Sequence, residues 1–152
     1  ESVHACAPLC ALLALATAFS RILTMLNAPQ VLASFLSGII SSRISFLILL
    51  NIVLLILGMF IDGAPAILIL SPLLMPIAQQ FGIDPVHLGI IMVCNLAVGL
   101  ASPPFGLNLF VASSTNGAPI MEISRKVVPF ILAFLVALIL ITFVPSISLC
   151  LV

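Results

Sequence analysis

The chain has 152 residues, of which 64% are hydrophobic and 5% are charged, and its formal net charge is zero. This composition, with a mean hydropathy of +1.50, is far more apolar than a soluble domain needs and predicts an integral membrane protein in a lipid bilayer. The balanced charge gives no basic surface for nucleic acid. No nucleophile–base pair and no His/Cys/Asp set with metal-ligand spacing occurs in the sequence, so we expect no enzyme.

Residues 1–43 are predicted to form a spanning helix followed by an amphipathic helix. The segment 5–26 is apolar and long enough to cross a bilayer. It should end before Pro29, because the position before a proline disfavours helix. From Pro29 to Arg43, apolar residues recur at spacings of three and four, which is typical of a helix lying at the membrane interface. We expect Arg43 at the polar end of this second helix.

Residues 44–80 are predicted to form a re-entrant helical hairpin. The sequence Asp62-Gly63-Ala64-Pro65 divides this apolar stretch into arms at 44–61 and 66–80. At about 1.5 Å per residue the arms reach roughly 27 and 22 Å, against a hydrocarbon core of about 30 Å. A hairpin that enters the membrane and returns fits these lengths better than two complete spans.

Asp62 is the only carboxylate within a predicted membrane segment, which makes it a candidate for binding an ion or a proton. Asn51, Gly58 and Asp62 are spaced by seven and four residues and therefore share one helix face. This small, polar face suits contact with another helix or the lining of a cavity. The alternative is that Asp62 simply caps the second arm.

Residues 85–114 are predicted to form a broken helix. Asp84 is a natural N-cap, and Pro85 suits the first helical position. Pro103 and Pro104 lack the backbone N–H, and their rings clash with the carbonyl four residues earlier. We expect a half-helix, an unwound linker and a second half-helix, with a proline kink in a continuous span as the alternative. His87, close to the cap, is expected to be an exposed loop residue.

The interruptions at 62–65 and 101–104 predict a binding site if they meet within the membrane. Helix C-termini present carbonyls that suit Na⁺, and helix N-termini present N–H groups that suit a carboxylate. The candidate Na⁺ ligands, partly through backbone carbonyls, are Gly58, Asp62, Asn95, Ala101, Ser102 and Pro103. The candidate substrate-binding residues are Gly63, Ala64, Pro65, Pro104, Gly106 and Asn108. For Asn95 and Asn108, hydrogen bonding between helices is the alternative role.

Residues 121–152 are predicted to hold the final spanning helix, after a polar loop at 113–119. Arg125 and Lys126 precede an apolar run from 127 to about 147, which should end near Pro145. Because they lie in apolar surroundings without a C-x-x-C pair, the cysteines are interpreted as small packing residues; they are Cys6, Cys10, Cys94 and Cys150.

Several motifs carry a family resemblance. The hairpin sequence from Gly58 to Pro76, the segments 82–89 and 95–99, and Ser-Pro-Pro-Phe-Gly-Leu-Asn-Leu-Phe at 102–110 occur in one order and spacing. Together they resemble the large membrane subunit of the TRAP (tripartite ATP-independent periplasmic) transporters, the DctM type, and Pro129-Phe130 fits the opening of its last helix. Ser102 stands where the family usually has Thr, which keeps the hydroxyl.

The resemblance implies half of an inverted-repeat, elevator-type, Na⁺-coupled symporter in the bacterial inner membrane. This chain would be the second half of the permease, with 1–43 on the scaffold side, 44–120 in the transport domain and 121–152 as the last span. Gly63-Ala64 replaces hydroxyl residues of many members, which leaves backbone coordination at the tip. The implied partners are a small four-helix membrane subunit, a periplasmic substrate-binding protein, the N-terminal half of the permease and an organic acid such as a C4-dicarboxylate or sialic acid. The resemblance also implies Na⁺ as the coupling ion and no cofactor.

Two other interpretations stay open at this point. One is a related Na⁺-dicarboxylate symporter that works without a binding protein, although its Ser-Asn-Thr tip is absent here. The other is a non-transporting membrane scaffold or a truncated fragment, since the chain begins at Glu1 without Met and is interpreted as a piece of a longer protein.

Overall fold

The computed structural model describes residues 2–39, 42–103 and 105–150 of the chain. Within these ranges the protein is a bundle of helices and contains no strand, which confirms the all-α prediction. The helices are α1 (Ser2–Met25), α2 (Ala28–Ile39), α3 (Arg43–Phe60), α4 (Gly63–Gln80), α5 (Pro85–Ala101), α6 (Leu107–Asn116), α7 (Ile120–Phe143) and α8 (Pro145–Leu149).

The helices include three that are long and apolar enough to cross a membrane, namely α3, α4 and α7. The parts of α1 and α2 at 10–25 and 28–35 pass the same test only as a pair, bent by 64° at their junction. At that bend Asn27 adopts a left-handed conformation with φ of 55°. Three or four candidate spans agree with the prediction of an integral membrane protein.

The start of α3 differs from the prediction. Arg43 was expected at the end of the amphipathic helix, but α2 ends at Ile39 and Arg43 is the first residue of α3. The reason is a local cap: the Ser42 hydroxyl accepts a hydrogen bond from the Ile44 N–H at 3.3 Å, which starts a new helix. α2 packs against α4 and contributes Ala33 to the core.

The predicted hairpin arms are two helices of 18 residues each, about 27 Å long, joined at Ile61 and Asp62. The second arm begins at Gly63, earlier than predicted, because Pro65 is accommodated in its first turn. The arms contact each other little along their length; α3 packs mainly against α5, and α4 against α1, α2 and α5. At the far end from the tip, the rings of Phe46 and Phe81 stack with centroids 4.9 Å apart. The re-entrant course of this hairpin stays a prediction.

The main hydrophobic core lies where α3, α4 and α5 meet. Apolar side chains from all three helices are almost completely buried there, and burial of this kind is the main stabilising contribution to the bundle. These side chains include Phe46, Leu50, Leu54, Ile77, Ala78, Leu88, Ile91 and Met92. The core therefore fixes α5, which carries the predicted linker, against both arms of the hairpin.

The predicted break in the second half is present, since α5 ends at Ala101 and α6 begins at Leu107. α6 continues to Asn116 and ends at Gly117, which has a φ of 67°, so the following loop is shorter than predicted. The last long helix begins at Ile120, and the expectation that it starts after Lys126 was wrong. Glu122 and Lys126 lie in its first turns and form an exposed ion pair at 2.8 Å. Pro129 therefore lies inside α7 instead of opening it.

Candidate functional site

The helices α3 and α5 cross at two glycines, Gly58 and Gly99. A Cβ atom added to Gly99 would lie 2.7 Å from the Cα and carbonyl carbon of Gly58, and one added to Gly58 would lie 3.0 Å from Leu96 Cα. The distance at Gly99 is shorter than real Cβ contacts and the distance at Gly58 is tighter than most of them, so the close approach of the two backbones depends on the absence of side chains. This crossing brings the end of α3 beside the end of α5.

The linker after α5 is a compact turn. Ser102 has extended dihedral angles (φ −88°, ψ 132°), and its N–H donates to Gly99 O at 2.9 Å. The Gly106 N–H donates to Ser102 O at 3.0 Å, which closes the turn. A Cβ at Gly106 would lie 2.7 Å from Leu100 O, so this position also depends on glycine. The turn confirms that the proline pair interrupts the helix; Pro104 itself lies outside the described residues.

Ser102 is 3% exposed, and its hydroxyl donates a hydrogen bond to Val98 O at 2.8 Å. The donor of this hydroxyl is therefore used, and no hydrogen bond to its oxygen is seen from the residues that the structure describes. Pro103 lies beside it and, with Leu55 and Met59, lines a cavity of about 210 Å³ that reaches α7. Ala101 is partly exposed at the end of α5.

The tip of the hairpin is a two-residue junction. The Ile61 N–H donates to Leu57 O at 2.9 Å and ends α3. Asp62 occupies the N-cap position of α4, but its side chain makes no capping hydrogen bond and is exposed. The carboxylate is therefore not engaged in the capping role that the sequence left open. Gly63 and Ala64 follow in the first turn, where backbone N–H groups have no acceptor within the helix.

The two interruptions lie side by side. Phe60 at the end of α3 contacts Phe105 in the linker, with ring centroids 5.0 Å apart and planes inclined by 31°. A Cβ at Gly63 would lie 3.9 Å from Leu96 Cβ, so the start of α4 also faces α5. The structure thus places the end of α3 and the start of α4 beside the end of α5 and its linker, through the contacts of Gly58 with Gly99, Phe60 with Phe105 and Gly63 with Leu96.

The side chain of Asn95 makes its hydrogen bonds to α3 and within α5. It is completely buried, and its Nδ2 donates to Asn51 Oδ1 at 2.8 Å and to Ile91 O at 2.9 Å. Ser102 is seven residues further along, which is about 10 Å along the α5 axis. Asn95 therefore makes the interhelical hydrogen bond that was its alternative role. Asn108, on the first turn of α6, is exposed.

A buried polar cluster around Asn95 was not predicted from the sequence. The Thr142 hydroxyl in α7 donates to Asn51 Oδ1 at 3.2 Å, and Asn51 Nδ2 donates to Leu47 O at 2.7 Å. Asn51, Asn95 and Thr142 lie on the wall of an otherwise apolar cavity of about 330 Å³ between α3, α5 and α7. The available signal was Thr142 itself, a hydroxyl within an apolar helix, but its distance of 91 residues from Asn51 hid the pairing.

His87 is a second correction. It was expected in an exposed loop, but it is completely buried in the first turn of α5, and its Nε2 lies 3.2 Å from Thr142 O. Because a carbonyl can only accept, Nε2 carries the proton, and the ring caps the C-terminal end of α7. The neighbouring prediction holds: Asp84 Oδ1 accepts from the Val86 N–H at 2.8 Å, and Pro85 opens α5.

Comparison with known proteins identifies the family to which this sequence is similar. Residues 1–147 match the family described as the tripartite ATP-independent periplasmic transporter, DctM component. The chain is 46% identical over 140 residues to a C4-dicarboxylate TRAP transporter large permease protein, DctM, of Pseudomonas aeruginosa, covering 92% of this chain and 33% of that protein.

Two further relatives have other names. An isethionate TRAP transporter permease protein, DctMQ, of Oleidesulfovibrio alaskensis is 42% identical over 147 residues, covering 97% of this chain and 23% of that protein. A sialic acid TRAP transporter large permease protein, SiaM, of Vibrio cholerae is 34% identical over 149 residues, covering 98% of this chain and 35% of that protein. The chain spans about a quarter to a third of the length of these relatives.

The family match covers both interruptions and every predicted site residue. It is a family of integral inner-membrane transporter permeases, not of enzymes, which confirms the predicted location and the prediction that the chain is not an enzyme. The chain belongs to the DctM component family of the tripartite ATP-independent periplasmic transporters.

Proposed function

We propose that this chain is part of the membrane permease of a Na⁺-coupled, binding-protein-dependent secondary transporter that imports organic acids. The observation that carries the proposal is the contact between two broken membrane segments: Phe60, next to the hairpin tip, contacts Phe105 in the linker, and Gly63 in the first turn of α4 faces Leu96 of α5. Unwound backbone at membrane depth persists where it is buried in protein or lines a cavity, and such breaks carry ion and substrate sites in secondary transporters.

The Na⁺ site of this proposal lies between the C-terminal ends of α3 and α5. Helix C-termini carry carbonyl oxygens with partial negative charge, and a hard cation prefers oxygen ligands. The Ser102 Oγ is buried at this place and accepts no hydrogen bond from the described residues, and Asp62 is the acidic side chain of the tip. The ligands drawn from the predicted set are the carbonyls near Gly58, Ala101 and Pro103 together with these two side chains.

The substrate site lies beside it, at the N-terminal ends of α4 and α6. The N–H groups of Gly63 and Ala64 and the amide of Asn108 are the hydrogen-bond donors for a carboxylate. Neither the tip nor the linker contains Lys or Arg; the basic residues are Arg21, Arg43, Arg125 and Lys126. Within this segment, positive charge for a bound anion therefore comes from the helix ends and from Na⁺, and this shared site would couple the two binding events.

The partners follow from the family. We propose that the permease works with a small four-helix membrane subunit and a periplasmic substrate-binding protein, and that the present segment pairs with an N-terminal half of opposite orientation in an elevator-type arrangement. The relatives are named for C4-dicarboxylate, isethionate and sialic acid, all of which are organic anions. Carboxylates of the C4-dicarboxylate or sialic-acid kind are the proposed substrates.

The test is Na⁺-dependent uptake by proteoliposomes that contain the complete transporter carrying this chain. Ser102→Ala and the pair Pro103→Ala/Pro104→Ala are compared with Ser114→Ala, whose hydroxyl also bonds a carbonyl of its own helix (Val111 O, 2.8 Å) but lies on exposed α6. Loss of one oxygen ligand to a charge should raise the half-saturating Na⁺ concentration by about tenfold or more. Ser102→Thr should keep the Na⁺ dependence, because the hydroxyl remains.

The proposal fails if uptake does not require Na⁺. If uptake requires Na⁺ but Ser102→Ala and the proline pair match Ser114→Ala, the linker is only a structural kink and the ion site lies elsewhere.

A further inference from the structure

Two phenylalanines connect the end of α3, immediately before the hairpin tip, with the linker. Phe60 is the last residue of α3, Phe105 lies between Pro104 and Gly106 in the sequence, and their ring centroids are 5.0 Å apart with the planes inclined by 31°. This separation is within the range of favourable aromatic pairs. Both rings are largely exposed, Phe60 at 60% and Phe105 at 51%, so they meet at the surface of the bundle and not in its core.

The ring pair lies just beyond the close crossing of α3 and α5. At Gly58 and Gly99 the backbones are locked by direct contact. After these residues both chains leave helical geometry, at Ile61 (φ −121°, ψ 138°) and at Ser102. The Asp62 side chain makes no capping hydrogen bond, and α3 and α4 contact each other little. The aromatic contact is therefore a main candidate for the interaction that keeps the tip next to the linker.

We propose that Phe60 and Phe105 form a latch that holds the hairpin tip against the linker and thereby sets the Na⁺ affinity of the transporter. The inference rests on the function proposed above. Both phenylalanines act as positioning residues, because they hold the oxygen-bearing backbone of the tip and linker together without supplying a ligand. Since the rings are exposed, they can separate to admit or release the ion without opening the core around Leu54 and Ile91.

The expected effect follows from population-shift arithmetic. The apparent affinity for an ion falls in proportion to the fraction of molecules in the closed, binding-competent arrangement. An aromatic pair of this geometry favours contact by roughly two- to twelvefold beyond simple burial. Removing the pair lowers that fraction, so we expect the half-saturating Na⁺ concentration to rise by up to about that factor, with a smaller effect on the maximal rate.

The experiment is a Na⁺ titration of uptake by the complete transporter, normalised to the amount of protein in the liposomes. The variants are Phe60→Leu, Phe105→Leu, their combination and Phe105→Tyr, which keeps the ring. The matched controls are Phe46→Leu and Phe81→Leu, which break the stacked pair at the opposite end of the hairpin. These controls should lower thermal stability, because Phe46 is buried, and leave the half-saturating Na⁺ concentration unchanged.

If the latch exists, Phe60→Leu and Phe105→Leu should each raise the half-saturating Na⁺ concentration two- to twelvefold. The double variant should raise it no further than the single variants, and Phe105→Tyr should leave it at the unsubstituted value. Unchanged Na⁺ dependence, or an equal shift in the Phe46 and Phe81 variants, overturns the latch and leaves the proposed function standing. Uptake that needs no Na⁺ in the unsubstituted transporter overturns both.

Discussion

The close crossing of α3 and α5 makes Gly99→Ala the most specific structural prediction. The added methyl group would lie 2.7 Å from the Cα and carbonyl carbon of Gly58 and 2.9 Å from Leu55 O. All three atoms belong to backbone, so no side-chain rotation relieves the clash. Normal carbon contacts of about 3.5–4.0 Å require the two helices to separate by roughly 1 Å.

Overpacking of this kind costs about 1–3 kcal/mol. At about 2–4 °C per kcal/mol for a domain of 150–250 residues, we expect the melting temperature to fall by roughly 2–12 °C. The assay is thermal unfolding of the purified, detergent-solubilised permease, followed by size-exclusion chromatography after heating. The same separation should pull the tip from the linker, so Na⁺-dependent uptake should weaken as well.

Gly89→Ala is the matched control on the same helix. A Cβ at Gly89 would meet nothing within 4 Å, and alanine is the better helix former by about 1 kcal/mol. We expect Gly89→Ala to leave stability unchanged or to raise it slightly. A Gly99→Ala protein that melts at the same temperature as Gly89→Ala would refute the close crossing.

Three further predictions concern the polar groups that fix α5, each measured as a change in melting temperature or in the free energy of unfolding. Asn51→Leu removes the oxygen that accepts from Asn95 and Thr142, and it should lower the free energy of unfolding by about 1–3 kcal/mol. Adding Asn95→Leu should recover part of this stability, because fewer buried polar groups stay unpaired. Strictly additive effects of the two substitutions would contradict the pairing. Asp84→Ala should lower the free energy of unfolding by about 0.5–2 kcal/mol, and Asp84→Asn should lower it much less, since Asn also caps a helix. Equal destabilisation by the two substitutions would show that the side chain of Asp84 does not stabilise α5 as a cap. His87→Leu leaves the carbonyl at the end of α7 unpaired and should cost about 1–3 kcal/mol, and a neutral result would show that the buried ring is not needed there.

Local signals in the sequence predicted the helix breaks well. Asp84-Pro85 marks the start of α5, and Pro103-Pro104 marks its interruption, because proline removes a donor and fixes φ whatever the surroundings are. The same reasoning placed the hairpin tip at Asp62. It failed at Pro129, which lies inside α7, because a long apolar helix accommodates one missing hydrogen bond.

Contacts between distant segments were harder to predict. Asn95 was assigned to the ion site because it lies near the linker in sequence, but it precedes Ser102 by about 10 Å along the helix axis, and its amide donates to Asn51. His87 looked like a loop residue because it follows a polar stretch, and only the end of α7, 55 residues later, explains its burial. These pairings depend on how helices pack, which local propensity does not determine.

The proposed ion site is tested most directly by equilibrium binding of radiolabelled sodium to the purified complete transporter, with and without Ser102→Ala. We expect saturable binding that weakens about tenfold or more in Ser102→Ala and is unchanged in Ser114→Ala. Absence of saturable binding, or equal affinity in the unsubstituted and Ser102→Ala proteins, would contradict an ion site between the hairpin tip and the linker.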